Sequence, residues 1–419
     1  MFSNDEVTAY RMRRKRSGIR QYLRNLEIMD YRLVVSVVFL LMFGIIMVYS
    51  ATNADHKALL KQLAVGLFGL FVMLVVSYID YRVWVRHAGL IFWLSFFSMF
   101  LVLVPHLGHT GNGAARWIYL GGLSVQPSEF MKPAIILLMA YMLPYLKEKL
   151  RYIRAGATVF APSVLAALVI VLVTSNLSTA VIVLGIAALL FFAAYPDKKI
   201  WLIVGLVLIL CAVFAACYYF FQILPDLAAA RASGNISGNY RAMRILAWLY
   251  PDEFPNDSMQ SRYALYALGS GGLLGRGLGH GTMKYYLPEA SNDFIFAVIG
   301  EELGLVGCCM IIFLFIYQIW RIMVLAQHAG SPEGTLTAFG IGVHIALQVI
   351  FNIAVNISLL PNTGISLPYI SSGGSAILIQ LFEIGIVLNI SKQIPGRKVL
   401  VQEPAADDLP LHYGRRGRR

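Results

Sequence analysis

The stretch LVVSVVFLLMFGIIMVYSA, residues 33–51, contains no charged side chain. As an α-helix it is long enough to cross a hydrocarbon core about 30 Å thick, which takes about 20 apolar residues. Further apolar blocks of similar length follow, whereas the strands of a membrane barrel would alternate apolar and polar residues. We therefore expect an all-α polytopic membrane protein with about ten transmembrane helices. The candidate spans are 33–51, 59–78, 84–104, 129–146, 157–174, 177–195, 200–221, 294–320, 337–358 and 374–391.

The composition agrees with a membrane protein. Of 419 residues, 58% are hydrophobic and only 13% are charged, whereas a soluble globular protein has about 25% charged residues. The net charge of +12 is concentrated near both chain ends and comes without a recognition motif for nucleic acid. It therefore predicts contact with anionic lipid headgroups and no nucleic-acid partner. The four cysteines lie inside apolar runs, which indicates neither a disulfide nor a zinc site.

The distribution of lysine and arginine predicts how the chain crosses the membrane. With the N-terminus in the cytoplasm, most of these residues fall on the inner side, as the positive-inside rule requires. Residues 1–32 then form a basic cytoplasmic arm, 33–392 the ten-span membrane domain, and 393–419 a basic cytoplasmic tail of disordered composition. The first apolar run begins too late for a cleavable signal peptide. The large outer loop, 222–292, joins spans seven and eight, and a second outer segment covers 106–128.

Two pairs of ionisable residues lie at the expected outer mouth of the spans. Glu129 and Lys132 are three apart at the start of the fourth span, so on a helix they share a face and can pair. Either they only neutralise each other, or Lys132 binds an anionic headgroup, since ionisable residues within spans are costly and usually functional.

Glu289 and Asp293, in LPEASNDFIF (287–296), would face the same way on a helix and repel each other. Asp293 is then either a general base or a helix cap, and the spacing leaves both open.

The glycine-rich tract GSGGLLGRGLGHG (269–281) has the composition of a phosphate-binding loop. It follows no strand and belongs to no βαβ unit, so a nucleotide site is not indicated. We expect flexible backbone near the membrane surface instead. Glu301 and Glu302, about two turns into the eighth span, are expected to pair within the helix bundle, because an acid facing lipid is expensive.

Four segments resemble the signature motifs of one family. They are GAARWIYLGGLSVQPSEFMKPA (113–134), QSRYALYALGSGGLLGRGLG (260–279), LPEASNDFIFAVIGEELGLVG (287–307) and LPNTGISLPYISSGGSA (360–376). In this order they are similar to the motifs of the SEDS family, named for shape, elongation, division and sporulation, which contains FtsW, RodA and SpoVE. The resemblance covers about residues 30–395. The long basic arm makes the chain most similar to the division branch.

This resemblance implies a peptidoglycan glycosyltransferase of the bacterial cytoplasmic membrane. Such enzymes polymerise lipid II, an undecaprenyl-pyrophosphate-linked disaccharide pentapeptide, at the extracellular face. The resemblance also implies that Asp293 is catalytic and that the partners are a class B penicillin-binding protein and other division or elongation proteins. The expected substrate-binding residues are Arg116, Trp117, Glu129, Lys132, Arg244, Gln260, Arg262 and Glu289. A divalent cation, Mg²⁺ or Mn²⁺, is compatible with the pyrophosphate leaving group, although the sequence identifies no ligand set.

The chain departs from the family pattern at two places. TSNLSTA (174–180) has Asn176 where the family usually has an acid, which keeps hydrogen bonding but removes a charge. SSGGSA (371–376) lacks an aromatic residue of the usual motif. Two other functions stay open: a transporter that flips lipid II, because intramembrane charge suits that class too, and a non-catalytic scaffold that activates the penicillin-binding protein. Only the polymerase needs Asp293 as a base.

Overall fold

The protein is a bundle of long apolar helices in the residues that the computed structural model describes, which are 29–104, 108–111, 114–120, 123–146, 153–195 and 240–394. The helices are α1 (Tyr31–Ala51), α2 (His56–Tyr78), α3 (Tyr81–Arg86), α4 (Ala88–Ser98), α5 (Pro127–Leu146), α6 (Ile153–Val173), α7 (Leu177–Ala194), α8 (Tyr240–Leu249), α9 (Pro255–Gly271), α10 (Ile295–Gln327), α11 (Pro332–Asn356) and α12 (Gly374–Lys392). Short 3₁₀ helices cover Met99–Leu103 and Met283–Tyr285.

Eight of these helices are long and apolar enough to cross a membrane, which confirms eight of the ten expected spans. The eight are α1, α2, α5, α6, α7, α10, α11 and α12. The expected span 84–104 is a broken helix, because α3 ends at Arg86 and α4 continues as the 3₁₀ turn. The expected span 200–221 lies outside the described residues, as do residues 1–28 of the N-terminal arm and 395–419 of the tail. The chain is therefore a polytopic helical membrane protein.

A small sheet interrupts the helical architecture between α4 and α5. Its strands are β1 (Gly108–Gly111), β2 (Ala114–Leu120) and β3 (Leu123–Val125), all antiparallel in the order β1-β2-β3. Ile118, on the central strand, lies opposite Gly108 on one side and Val125 on the other, and its side chain is buried. No strand is predicted here from the sequence, because β1 and β3 have only four and three residues, below the usual strand length of about five.

Helix α12 lies at the centre of the bundle. Within its apolar window 83% of the residues are buried, whereas the value is 33% for α2, α6 and α10, whose remaining side chains form the apolar outer surface. α12 packs against α2 along much of its length and also contacts α5, α10 and α11. Large side chains such as Phe294, Phe315 and Tyr369 are completely buried in the interior. The second half of the loop between α11 and α12, residues 357–373, is largely buried among the helix ends, whereas its start is exposed.

The glycine-rich tract after α9 is fixed by hydrogen bonds to α10, contrary to the expected flexibility. α10 is interrupted at Gly304, which has φ 66° and ψ −165°. The interruption releases backbone groups of the helix, and the tract satisfies them. Arg276 N–H donates to Glu301 O at 3.0 Å, and Leu305 N–H donates to Gly272 O at 2.9 Å. The sequence does not reveal this restraint, because the partners of the tract are backbone groups in another helix.

Glu301 and Glu302 pair within the bundle, as expected. Both are fully buried. Glu302 accepts from Lys284 Nζ at 2.9 Å and from Ser50 Oγ at 2.6 Å, which joins the loop to α1. Glu301 accepts from the backbone N–H of Thr282 at 2.7 Å. These two acids therefore hold the segment that leads into LPEASNDFIF.

The interruption at Gly304 predicts a position where alanine is not tolerated. A Cβ atom on Gly304 would lie 2.3 Å from Gly275 N and 2.5 Å from Leu273 O, and its positive φ is strained for any other residue. We expect Gly304→Ala to lower the free energy of unfolding by about 2–4 kcal/mol, from the combined backbone strain and steric overlap. The measurement is the thermal unfolding midpoint of the detergent-purified protein.

Gly269→Ala is the matched control for this variant. Gly269 lies inside α9, and a Cβ atom there meets nothing within 4 Å. Alanine favours a helix over glycine by about 0.5–1 kcal/mol, so this variant should melt at or slightly above the wild-type temperature. Equal midpoints for Gly304→Ala and the wild type would show that the α10 interruption does not require glycine.

Candidate active site

A polar cleft of about 370 Å³ opens at the end of the bundle where the loop 357–373 lies. The N-terminal ends of α5, α7 and α12, the turn before α10, and residues of β2, α8 and α9 surround it. Most of its lining side chains are polar or charged, in contrast to the apolar outer surface of the helices. The lining residues are Trp117, Gln126, Glu129, Lys132, Asn176, Thr179, Arg244, Gln260, Glu289, Asn292, Asp293, Gln348, Asn362, Gly364, Ile365, Ser366, Ser372, Gly373 and Ala376.

Asp293 lines this cleft from the turn that precedes α10, and its side chain is half-buried. The expectation that Glu289 and Asp293 share a helical face is wrong, because α10 begins only at Ile295. Glu289 has a positive φ of 59°, so the chain turns sharply there, and both acids nevertheless line the same cleft. The N-cap position of α10 is Phe294, so Asp293 directly precedes it, and the alternative of a favourable charge at the helix N-terminus stays open beside that of a base.

A buried ion pair forms one wall of the cleft. Lys132 Nζ lies 2.7 Å from Glu129 Oε1 and 2.9 Å from Glu129 Oε2, as their spacing on a helix predicted. Lys132 is 1% exposed and Glu129 6%, so both are almost completely removed from solvent. Gln348, from α11, accepts a longer contact of 3.4 Å from Lys132. A positive group is thus held at a defined place in the cleft, in surroundings where its electrostatic interactions are weakly screened.

Arg244 and Gln260 reach the cleft through the loop 357–373. Arg244 Nη1 donates to Asn362 O at 3.1 Å, and Asn362 Nδ2 donates to Gln260 Oε1. Trp248, one turn beyond Arg244 on α8, donates to Ser358 O at 2.8 Å. These contacts anchor α8 and α9, which belong to the long loop, over the cleft.

Arg262 is not brought to the cleft in the described part of the chain. Its Nη1 lies 3.3 Å from Asp252 Oδ1, and the Asp252 side chain is 88% exposed. Gln260 and Arg262 are two residues apart on α9 and therefore point to different sides of the helix, which is why only Gln260 lines the cleft. The prediction that Arg262 binds substrate therefore gains no support from this geometry and stays a prediction. Arg116 lies on β2, and its side chain is outside the described part of the structure.

Several cleft residues were missed from the sequence. Gln126, Thr179, Asn292, Gln348, Asn362, Ser366 and Ser372 all line it. Five of them lie in three of the four motifs, so the motifs themselves contained the signal; these five are Gln126, Asn292, Asn362, Ser366 and Ser372. Asn176, noted only as a departure from the pattern, caps α7 by accepting from Thr179 N at 3.2 Å and also lines the cleft.

An apolar groove of about 330 Å³ lies beside the polar cleft. It runs between α2, α4, α5 and α12 and is lined mainly by aliphatic and aromatic side chains, among them Val65, Ile91 and Phe130. The groove and the polar cleft lie side by side, because the backbone N–H of Gln126, which lines the cleft, donates to Ser375 Oγ, which lines the groove, at 3.3 Å. A molecule with a polar head and an apolar chain could therefore occupy both at once.

The residues of the cleft do not form a protein metal site. In the described ranges there is no group of three or more histidine, cysteine, aspartate or glutamate side chains placed to hold a metal ion. Of the acids that line the cleft, Glu129 is already paired with Lys132. We therefore assign no residue of this chain to the divalent cation considered above, and derive no step through one.

The fold and the cleft define a multi-pass helical membrane protein with a polar, acid-containing site at one end of its bundle. The family model described as Cell cycle protein, covering FtsW, RodA and SpoVE, matches residues 31–395. The chain therefore belongs to the FtsW/RodA/SpoVE family, as its four motifs predicted.

Relatives from two branches of the family are equally similar in sequence. The protein named Probable peptidoglycan glycosyltransferase FtsW of Geobacter sulfurreducens is 36% identical over 384 residues, which is 89% of this chain and 98% of that protein. Stage V sporulation protein E of Bacillus subtilis is 36% identical over 376 residues, 87% of this chain and 97% of that protein. Sequence identity alone thus does not separate a division role from a sporulation role.

Two solved structures share the fold. One, described as the structural coordination of polymerization and crosslinking by a peptidoglycan synthase complex, has a TM-score of 0.68 at 23% identity and covers 87% of this chain and 97% of that chain. The rod shape determining protein RodA of Thermus thermophilus has a TM-score of 0.62 at 23% identity, with 88% and 98% covered. At this identity the likeness concerns the fold alone.

Proposed function

We propose that this chain is a peptidoglycan glycosyltransferase that polymerises lipid II at the outer face of the bacterial cytoplasmic membrane. The family and the names of its relatives support glycosyl transfer. The observation that carries the proposal is Asp293 in a cleft that also contains Lys132 and Arg244. An acid that can take a proton and cations that can stabilise an anionic leaving group are the two requirements of this reaction.

In the proposed mechanism Asp293 is the general base. The 4-hydroxyl oxygen of the acceptor sugar forms a bond to the anomeric carbon of the donor while the bond from that carbon to the pyrophosphate oxygen breaks. The proton of the hydroxyl passes to the Asp293 carboxylate, and the prenyl pyrophosphate leaves with the electron pair on the oxygen that was bonded to the anomeric carbon. One displacement inverts the anomeric centre, so an α-linked donor gives a β-1,4 product without a covalent intermediate.

The remaining cleft residues bind and orient the substrate. Lys132 and Arg244 place positive charge where the pyrophosphate develops its additional negative charge. Trp117 offers an aromatic face for a sugar ring, while Gln260 and Glu289 offer hydrogen-bonding groups for sugar hydroxyls. Arg116 stays a candidate for binding the pyrophosphate, and only its place in the family motif supports this role.

The apolar groove is where we place the polyprenyl chain of the substrate. The groove lies against the cleft and between helices that cross the membrane. A head group in the cleft and a tail in the groove would anchor lipid II at the membrane boundary. The tail gains no hydrophobic free energy on moving from the bilayer into the groove, because both are apolar, so its contribution is van der Waals packing that holds the head group at the cleft.

The orientation follows from the distribution of charge. We infer that both termini are cytoplasmic, with a basic arm at 1–32, a membrane domain at 33–392 and a basic tail at 393–419, because this arrangement satisfies the positive-inside rule. The cleft then faces outward, where the sugar portion of lipid II is presented. We also propose a class B penicillin-binding protein as partner, with other division or elongation proteins.

The test is polymerisation of purified lipid II by the detergent-solubilised protein, read as glycan chain length on a gel, with and without the cognate class B partner. We expect a ladder of products from the wild-type protein. A protein that yields no ladder in either condition but moves lipid II across the bilayer of a proteoliposome would be a transporter. A protein that yields none and moves none, yet raises the cross-linking rate of its partner, would be a scaffold.

A further inference from the structure

A row of buried polar side chains runs along one face of α11. His344, Gln348, Asn352 and Asn356 follow one another at intervals of four residues, which places them on the same side of a helix. All four are at most 1% exposed. Polar side chains inside a membrane bundle are costly unless they are hydrogen-bonded, so the partners of each indicate its role.

The last residue of this row, Asn356, is bonded to the start of α10. Its Nδ2 donates to Asp293 O at 2.9 Å, and its Oδ1 accepts from Ala297 N at 3.0 Å. Phe294, the N-cap residue of α10, supplies no side-chain hydrogen bond to the helix end. Asn356 therefore performs from a neighbouring helix the task that an N-cap side chain usually performs locally.

Asn352 holds the same carbonyl oxygen. Its Nδ2 donates to Asp293 O at 2.9 Å and to Ile365 O at 2.7 Å, which ties the loop between α11 and α12 to the turn before α10. The Asp293 carbonyl thus accepts from two side-chain amides of one helix.

The two preceding carbonyls are held as well, from the loop between α11 and α12. Ser371 Oγ donates to Asn292 O at 2.7 Å, and Ser372 N donates to Ser291 O at 2.8 Å. Three successive carbonyl groups of the turn, at residues 291–293, are therefore fixed by α11 and this loop.

We propose that Asn352 and Asn356 are positioning residues that hold the backbone of Asp293 so that its carboxylate is presented to the cleft. The proposal rests on the proposed function, in which Asp293 is the base. With the backbone fixed, the carboxylate can move only by rotation about its own two side-chain bonds. Such restraint matters because a displacement of about 1 Å can lower a catalysed rate by about 10²-fold.

The experiment compares Asn356→Ala and Asn352→Ala with Asn389→Ala. Asn389 is a matched control, since it is buried, accepts from Tyr81 N at 2.9 Å and donates to Ser77 O at 3.0 Å, but lies at the opposite end of α12 from the cleft. For each variant the unfolding midpoint is measured together with kcat and KM for purified lipid II. Asp293→Asn is measured in parallel.

We expect Asn356→Ala to lower kcat by about 10–100-fold with KM within about threefold of the wild type, because the base is misplaced while the binding groups stay. Asn389→Ala should lose similar thermal stability and keep kcat within about twofold. Asn352→Ala is the milder variant, since Asn356 still holds both the Asp293 carbonyl and the N–H of Ala297, whereas Asn356→Ala loses both of these bonds. Asn356→Ser keeps a hydrogen-bond donor at this position and should therefore have a higher kcat than Asn356→Ala.

Two results would overturn the proposal. One is a wild-type kcat in both Asn352→Ala and Asn356→Ala. The other is a loss of kcat in all three alanine variants that follows their unfolding midpoints, since this would indicate general stability alone. If instead Asp293→Asn itself keeps the wild-type rate, Asp293 is not the base. That result contradicts the proposed function and is distinguishable from a failure of the positioning role alone. Should Asn356→Ala not fold, Asn352→Ala alone decides.

Discussion

Replacing Asp293 with asparagine is expected to lower the rate of lipid II polymerisation by about 10³-fold, since general bases typically contribute 10²–10⁴-fold. Asparagine has nearly the shape of aspartate but does not accept a proton at neutral pH. The hydrogen bonds that fix this turn involve the carbonyl oxygen of residue 293, which the substitution retains. The variant should therefore fold normally and bind substrate while failing in the chemical step.

Asp252→Asn is the matched control for this prediction. Asp252 is an exposed acid of the same long loop and pairs with Arg262 outside the cleft. A surface pair of this kind contributes little to stability, typically below about 1 kcal/mol, so the control should polymerise within about twofold of the wild type. Initial rates at saturating lipid II, with the unfolding midpoint of each protein, are the measurements. Full activity in Asp293→Asn would remove this residue as the base.

Replacing Lys132 with methionine is expected to lower polymerisation by about 10²–10³-fold and also to destabilise the protein. The activity falls because a cation that faces the leaving group is lost, and removal of one such group commonly has an effect of this size. The stability falls because Glu129, 6% exposed, is left as an uncompensated buried charge. Breaking a buried pair by removing one partner costs about 3–5 kcal/mol.

The double variant Glu129→Gln with Lys132→Met separates these two effects. Without either charge no buried ion is left unpaired, so the unfolding midpoint should return towards the wild-type value. Polymerisation should stay low, because the cation is still absent. Recovery of activity together with stability would mean that the Glu129–Lys132 pair serves the fold alone, which was the first of the two possibilities raised by its spacing.

Much of the membrane architecture could be predicted from the sequence, because it depends on local properties. An apolar block long enough to cross the bilayer becomes a helix wherever it lies, since only helices and closed barrels satisfy every backbone group in lipid. The block 33–51 and seven others do so. The Glu129–Lys132 pair was predictable for the same reason, as a spacing of three on a helix brings two side chains together. Family membership followed from four short motifs in their order.

Other features depend on contacts between distant parts of the chain, and only the tertiary structure decided them. Asp293 is held by a side chain 63 residues further on. The glycine-rich tract is held by α10, whose interruption at Gly304 exposes the backbone groups that only the folded chain brings next to the tract. Arg262 belonged to the same motif as Gln260, yet only Gln260 lines the cleft. The sequence by itself determined which segments cross the membrane and which family the chain belongs to. Which side chains meet at Asp293 was decided by the packing of α10 and α11, because that packing brings together residues whose spacing along the chain is unrelated to helical periodicity.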